Sequence, residues 1–546
     1  MTTILEGADA AADTTTLYSM ATGDEFWSRL DQGTSDWIAV NLSAGGTYSF
    51  GAVGIGALDS GVTDPVLRLR DAGGASIARN DDGGPGLSAS LTFTATTSGV
   101  HYVEVKALTA SPDGAYGLAM STGDRPSYGT ELGAAILYRP GNSWADTPQT
   151  ATVVTWGVRD HGPAVDASGF AAPFAALSAA QIAAAQVALG NFSDVANLSF
   201  QQVNPGGTTQ DATILMGAYR SATDGAGAYA NYPGSTASGN VAGDLWLNNK
   251  YVSQTDLPFG SYDLYVVLHE LGHAMGLDHP GDYNAAPGVT ITYNNSAQFV
   301  QDSNQYSVMS YFAAVATEPD APDTYADTLM LYDIYAVQQL YGVNSATRAG
   351  NDTYGFHSSV GGTYDFATNT DPLLCIWDGA GRDTLDLSGF SARQIIDLNA
   401  GHFSDVGGFT GNLSIALGAK IENAVGGSGA DDIYGNGLRN DLRGGKGADI
   451  LAGAGGSDRL TGGGGADEFI FSAGSGKDRI ADFNAALDQI SLDTALWGGA
   501  LMTAAEVISA FAVLRGGHVV LDFGANELSF LGLASAADLE SQILFA

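Results

Sequence analysis

Residues 426–470 divide without remainder into five nonapeptides: GGSGADDIY, GNGLRNDLR, GGKGADILA, GAGGSDRLT and GGGGADEFI. A nine-residue period with leading glycines, an acid at the sixth position and an apolar residue at the eighth leaves few folds open. The sixth positions are Asp431, Asn440, Asp449, Asp458 and Asp467; the eighth are Ile433, Leu442, Leu451, Leu460 and Phe469. The second unit alone is degraded, with Asn440 for Asp and Leu438 where glycine is expected. Each unit reads as a glycine loop and a short strand whose apolar residue points inward and stacks one turn away. Glycine lets the loop carbonyls bend toward a common point, and the Asp adds carboxylate oxygens there. Oxygen-only sites with many ligands favour Ca²⁺ over Zn²⁺ or Cu²⁺. Asp431, Asp449, Asp458 and Asp467 are therefore the predicted calcium ligands of a parallel β-roll. A flexible glycine linker has no reason to keep an apolar residue in phase through five units. Extracellular calcium modules bind at roughly 10⁻⁴–10⁻³ M, so the roll is expected to fold outside the cell.

A chain of 546 residues exceeds what one hydrophobic core supports, and several domains are expected. Its 21 Lys+Arg against 59 Asp+Glu give a net charge of −38. Phosphate backbones and acidic membranes would repel such a polyanion, so nucleic acid is excluded as a partner. The one cysteine, Cys375, allows no internal disulfide framework and lies in an apolar run that reads as a buried strand. No stretch approaches the ~18 apolar residues of a membrane helix. The first residues carry neither a basic nor an apolar leader segment, so no Sec-type signal is expected.

Short apolar runs at 37–40, 47–50, 66–69, 91–93 and 102–105, separated by Gly-Gly, Asp-Gly and Asp-Pro turns, predict a small β-sandwich over residues 1–125. Residues 126–345 read as a mixed α/β domain. Ser178 and Gln181 form a capping-box pattern opening a helix with Ile182, Ala185, Leu189 and Phe192 on one side. Strands are expected at 212–218 and 244–248, and helices at 261–277 and 328–341. Residues 346–546 hold the roll and a β-rich tail.

Three of the eight histidines fall in the eleven residues from His269 to His279. On a helix, His269 and His273 share a face and can offer two imidazoles to one ion. Glu270 lies one residue on, about 100° around the helix, where it can reach a metal-held water without becoming a ligand. Gly276 can take a left-handed conformation that ends the helix and brings His279 back as third ligand. Three nitrogens with an open position describe one catalytic Zn²⁺ rather than a closed structural site. The competing reading is a calcium-dependent surface or adhesion protein around a degenerate enzyme domain. Such a protein needs neither the ligand set nor the base.

The spacing H-E-x-x-H-x-x-G-x-x-H, followed by Tyr306-Ser307-Val308-Met309-Ser310-Tyr311, resembles the metzincins. That resemblance implies Met309 in a tight turn beneath the ligands and Tyr311 as a mobile group that stabilises the tetrahedral intermediate. Together with the nonapeptides, the pattern resembles the serralysins, secreted calcium-binding zinc endopeptidases with RTX repeats. His279-Pro280, Leu340-Tyr341-Gly342, Ile376-Trp377-Asp378 and Asp383-Thr384-Leu385-Asp386 carry it further. The resemblance implies more calcium ligands at Arg348, Gly350, Asp352, Asp378, Gly381, Asp383 and Glu422, with Lys420 where the family has threonine. It also implies a substrate-pairing edge strand at Ala228, Tyr229 and Ala230, protein substrates, a monomer, and export by a type I apparatus. The acids Asp538 and Glu540 before the apolar Ile543-Leu544-Phe545 fit the uncleaved export signal of that route. The first 125 residues resemble prepeptidase-type modules, notably at Asp64-Pro65-Val66 and Asn80-Asp81-Asp82-Gly83-Gly84. They stand where a short propeptide is usual, and a substrate anchor or a removable prosegment is the expectation.

Overall fold

A computed structural model describes residues 2–30, 34–55, 64–108, 114–138, 141–162, 173–223, 225–234 and 241–545. The chain divides into two compact units: Met1–Thr317 with Asp323–Asn344, and Glu318–Pro322 with Ser345–Ala546. The predicted sandwich and the α/β domain therefore share one unit.

The sandwich has two five-stranded sheets. One runs in the order Thr3–Leu5, Glu25–Leu30, Gly114–Thr122, Thr47–Gly54, Ala89–Thr94. The other runs Ser19–Met20, Asp36–Leu42, Gly99–Ala107, Pro65–Arg70, Ser76–Asn80. Alternation drives the packing: Ile38, Val40 and Leu42 from one strand meet Phe26, Phe50 and Leu118 in one buried core. All five expected strands lie within longer observed ones.

In the α/β part, Leu198–Gln202, Thr152–Val158, Ile214–Tyr219 and Leu245–Asn248 pair in parallel. Ala228–Ala230 closes the edge antiparallel to Leu245–Asn248. The helix Ala179–Val195 begins at the Ser178 capping box. Its buried face differs from the expected one: Gln181 is fully enclosed and Ile182 only partly. The Gln181 amide donates to Asn249 Oδ1 at 2.9 Å and to the Ser253 carbonyl at 3.1 Å, which satisfies it in the interior. The histidine-bearing helix is Tyr262–Ala274, and the last of the α/β part is Leu331–Tyr341. Both are shorter than the pattern suggested. Gly276 (φ 99°) turns the chain early, and Asp333 caps the later helix by accepting the Met330 N–H. The helix Thr130–Ile136 is not among the elements expected from the sequence.

In the second unit, alternate nonapeptides enter opposite sheets. Leu442 pairs in register with Leu460 in one, and Ile433 with Leu451 and Leu451 with Phe469 in the other. The inward residues thus stack on neighbours eighteen residues away, not nine, since one full coil takes two units. All five are at most 1% exposed. Cys375 is buried in the strand Leu374–Ile376 as expected. The strand Ile543–Phe545 pairs with Gln489–Leu492; Ala546, the last residue of the expected export signal, lies outside the described residues.

Candidate metal centre

Helical spacing delivers His269 and His273 from one face of Tyr262–Ala274, and the turn at Gly276 returns His279 to them. A Cβ at Gly276 would collide with the Asn142 carbonyl, so glycine is required there by space as well as by φ. The Nε2 atoms of His269 and His279 are 3.2 Å apart, and those of His273 and His279 are 3.0 Å apart. His269 Nδ1–H donates to the Val308 carbonyl and His273 Nδ1–H to the Leu277 carbonyl, each at 2.8 Å. A carbonyl cannot donate, so these bonds fix the tautomer and leave both Nε2 atoms as lone-pair acceptors. The His279 ring is held by the Tyr283 backbone.

Acceptors facing acceptors repel unless a cation lies between them. Zn–N bonds of about 2.0–2.1 Å at tetrahedral angles would set such nitrogens about 3.3 Å apart. The donor set therefore fits zinc. Burial drives the imidazoles neutral, to about 3 at His269 and about 4 at His273, which is the protonation state a ligand needs. Burial also pushes Glu270 up to about 8, and its Oε2 is enclosed without a hydrogen-bond partner. A dication beside it would act in the opposite sense.

Met309 is fully buried beneath the helix, with its sulfur against Gly272, where a Cβ would collide with it. The turn that holds it is pinned by Asp333, which accepts from Ser307 Oγ at 2.6 Å and the Val308 N–H at 2.7 Å. Asp333 thereby orients the carbonyl that orients His269. Sequence reasoning missed it because 24 residues separate it from Met309. Tyr311 sits with its ring centroid 4.6 Å from that of His279, and burial raises its hydroxyl pKa. The edge strand Ala228–Ala230 and the three histidines line one cleft of about 550 Å³, together with Glu270, Tyr311 and the segment 284–291.

Comparison with known proteins adds a lineage to this geometry. Residues 173–312 match the Matrixin family, residues 343–541 the Peptidase M10 serralysin C terminal family, and residues 34–107 the bacterial pre-peptidase C-terminal domain. Serralysin A of Dickeya chrysanthemi is 36% identical over 82% of this chain and 92% of its own. Metallopeptidase AprA of Pseudomonas marginalis is 40% identical over 76% of this chain and 91% of its own. The chain belongs to the serralysin family. Metalloprotease AprA of Pseudomonas entomophila matches to a similar degree, 40% over 76% and 87%. The serralysin assignment makes the chain a zinc metalloendopeptidase with an added N-terminal sandwich.

The expected calcium ligands of this serralysin fall into a definite arrangement. Asp352, Asp378 and Asp383 bring carboxylate oxygens within 4.8 Å of one another. Gly381 lies against the Gly350 carbonyl, and Arg348 (φ 46°) donates through its guanidinium to the Trp377 carbonyl at 2.7 Å. Glu422 stands outside that triad but accepts the Asp383 N–H at 2.8 Å. In the roll, each acid accepts the backbone N–H of the residue one coil earlier. Asp449 takes that of Asp431, Asp467 that of Asp449, and Asp458 that of Asn440, at 2.8–3.0 Å. Asp431 takes that of Gln394 at 2.7 Å. The columns run past the last nonapeptide. Asp478 and Asp488 accept the N–H groups of Asp458 and Asp467 at 2.9 and 3.1 Å. These two were missed because the spacing slips from 18 to 20 and 21; the surviving signal is an acid two residues before Ile480 and Ile490.

Proposed function

We propose that this serralysin hydrolyses internal peptide bonds of proteins, with Glu270 as general base and Tyr311 as oxyanion donor. The observation that carries the reading is the convergence of three buried imidazoles beside a carboxylate oxygen that has no partner of its own, both opening on one cleft. His269, His273 and His279 would hold zinc, which supplies Lewis-acid activation of water and of the scissile carbonyl. Substrate backbone pairs with the exposed side of Ala228–Ala230, and the ladder hydrogen bonds align the scissile bond across the cleft. Glu270 accepts the proton of the attacking water and passes it to the leaving amine. The Tyr311 hydroxyl donates to the oxygen on which negative charge develops. The Nδ1–H bonds to Val308 and Leu277 keep both imidazoles oriented and in the Nδ1–H tautomer, while burial keeps them neutral.

Asp352, Asp378, Asp383, Glu422 and the roll acids are proposed to hold several calcium ions, with carbonyls of Arg348, Gly350 and Gly381 completing the first group. Among the described residues no helix is long and apolar enough to cross a membrane. A roll that needs calcium fits export through a type I apparatus and work outside the cell as a monomer.

Casein digestion that stops on zinc chelation and returns with added zinc is the expected outcome. No digestion by the zinc-loaded protein would instead favour the adhesion-type reading with a degenerate centre, and digestion indifferent to chelation would remove zinc from the mechanism. Tyr311→Phe, which keeps the ring and deletes one donor, should lower kcat by about ten- to hundredfold with KM nearly constant. A KM effect alone would move Tyr311 from oxyanion donor to substrate contact.

A further inference from the structure

The N-terminal sandwich meets the α/β part through contacts that a removable prosegment would not need. Tyr128, 1% exposed, lies over Gly51 of one sandwich strand, and Leu132, 0% exposed, over Gly117 of the next. A Cβ at either glycine would collide with the inserted side chain. Glu25, itself buried, accepts the Gly129 N–H at 2.7 Å. These are interior contacts, and cutting them would expose both plugs and strand a buried carboxylate.

From this seam two further contacts reach the cleft. The Gly86 N–H donates to Asp282 Oδ1 at 2.9 Å; Asp282 is anchored from the other side by Gln298. Arg125 donates to the Asn294 carbonyl at 2.9 Å, and its guanidinium lies 4.7 Å from the ring centroid of Tyr293. Tyr293 packs edge-on against Phe312, Phe312 against Tyr283, and Tyr283 stacks on His279 and leans on Tyr311, with centroids 5.0–5.7 Å apart throughout. Between the two anchors runs the cleft wall, residues 284–291, whose Ala285 backbone hydrogen-bonds the Tyr311 hydroxyl.

We propose that the sandwich is a working part of the peptidase: Gly86 on Asp282 and Arg125 on Tyr293 fix the 282–296 wall, and with it the width of the substrate cleft. Arg125 and Asp282 are positioning residues, acting through the wall rather than on the substrate. The inference rests on reading the cleft as the substrate site, and one of its two readouts does not need turnover. The full-length Arg125→Ala variant should raise KM on casein by about three- to tenfold with kcat within about twofold. Its amide hydrogen exchange should quicken by about tenfold across 284–296 and stay unchanged in the strands Thr152–Val158 and Ile214–Tyr219. Arg125→Lys, which keeps the charge but loses the planar fork, should fall between. In the double variant with Tyr293→Leu, the exchange change should match that of either single variant, because both cut the same path. Unchanged exchange in 284–296, additive effects, or quickening spread evenly over the whole unit would overturn the proposal. If the wild-type protein showed no hydrolysis at all, the proposed function would fail while the exchange measurement still decided the buttress.

Discussion

Glu270→Gln is expected to lower kcat/KM on casein by about 10³–10⁴-fold while zinc content and melting temperature stay at the parent's values. The side chain is 5% exposed, and its Oε2 has no hydrogen-bond partner although polar atoms surround the cleft. A buried carboxylate oxygen without a partner is costly, and no hydrogen bond to Oε2 among the described residues offsets it. Glutamine has the same shape and removes that burden, so the fold has nothing to lose. What disappears is the carboxylate proposed to take a proton from water beside the three imidazoles. Zinc analysis of the variant separates this from loss of the centre: the proposed ligands are His269, His273 and His279, and Glu270 is not in that acceptor cluster. A variant that retained zinc and still cleaved casein at the parent rate would remove Glu270 from the mechanism.

The parts of the centre that the sequence displays are those that local geometry alone assembles. His269, Glu270, His273, Gly276 and His279 lie within one helix and its terminal turn, so a rise of 1.5 Å and 100° per residue places them almost without tertiary information. Met309 and Tyr311 are close in sequence and share one turn. The supporting residues come from elsewhere. Asp333 holds the Met309 turn from the start of the helix Leu331–Tyr341, and Tyr283 stacks on His279 from a segment with no periodicity. Their roles depend on chain closures that a single sequence does not encode locally. The sandwich was legible as alternating runs, yet Gly51 and Gly117 look like ordinary strand glycines until Tyr128 and Leu132 are seen above them. In the roll, the period announced Asp431 to Asp467, and the columns then continued through Asp478, where Gly474 and Gly476 remain, and through Asp488, where the loop glycines are gone. There the coil geometry persists because the inward apolar residue persists, whereas the motif depends on loop length.

Calcium removal should have the larger structural consequence. With a calcium chelator present, the unit formed mainly by residues 345–546 is expected to lose its cooperative melting transition near 25 °C, and millimolar calcium should restore it. Asp383, Asp431, Asp449, Asp458, Asp467, Asp478 and Asp488 are each at most 3% exposed. One oxygen of each accepts a backbone N–H or an equivalent donor, but Oδ2 of Asp383, Asp449, Asp458 and Asp478 has none. An unpaired buried charge costs several kcal/mol, about the scale of a domain's whole stability of roughly 5–15 kcal/mol. Three such groups in the roll, with Asp383 in the separate triad, cannot be carried by a core of single Ile, Leu and Phe side chains worth about 1.5–3 kcal/mol each against the ordering of the glycine loops. Asn440 shows what the column looks like without a charge: its amide donates to the Glu422 carbonyl at 3.0 Å and to Asn436 Oδ1 at 3.1 Å, so no cation is required there. Replacing Asp449 by asparagine should accordingly weaken calcium binding and shift the calcium titration of the transition to higher concentration. Sodium at matched ionic strength should not substitute, because the requirement is for several oxygen ligands around one dication rather than for screening. Calorimetry with and without chelator reads the result directly, and identical transitions in both would mean the carboxylate columns are satisfied by protons alone.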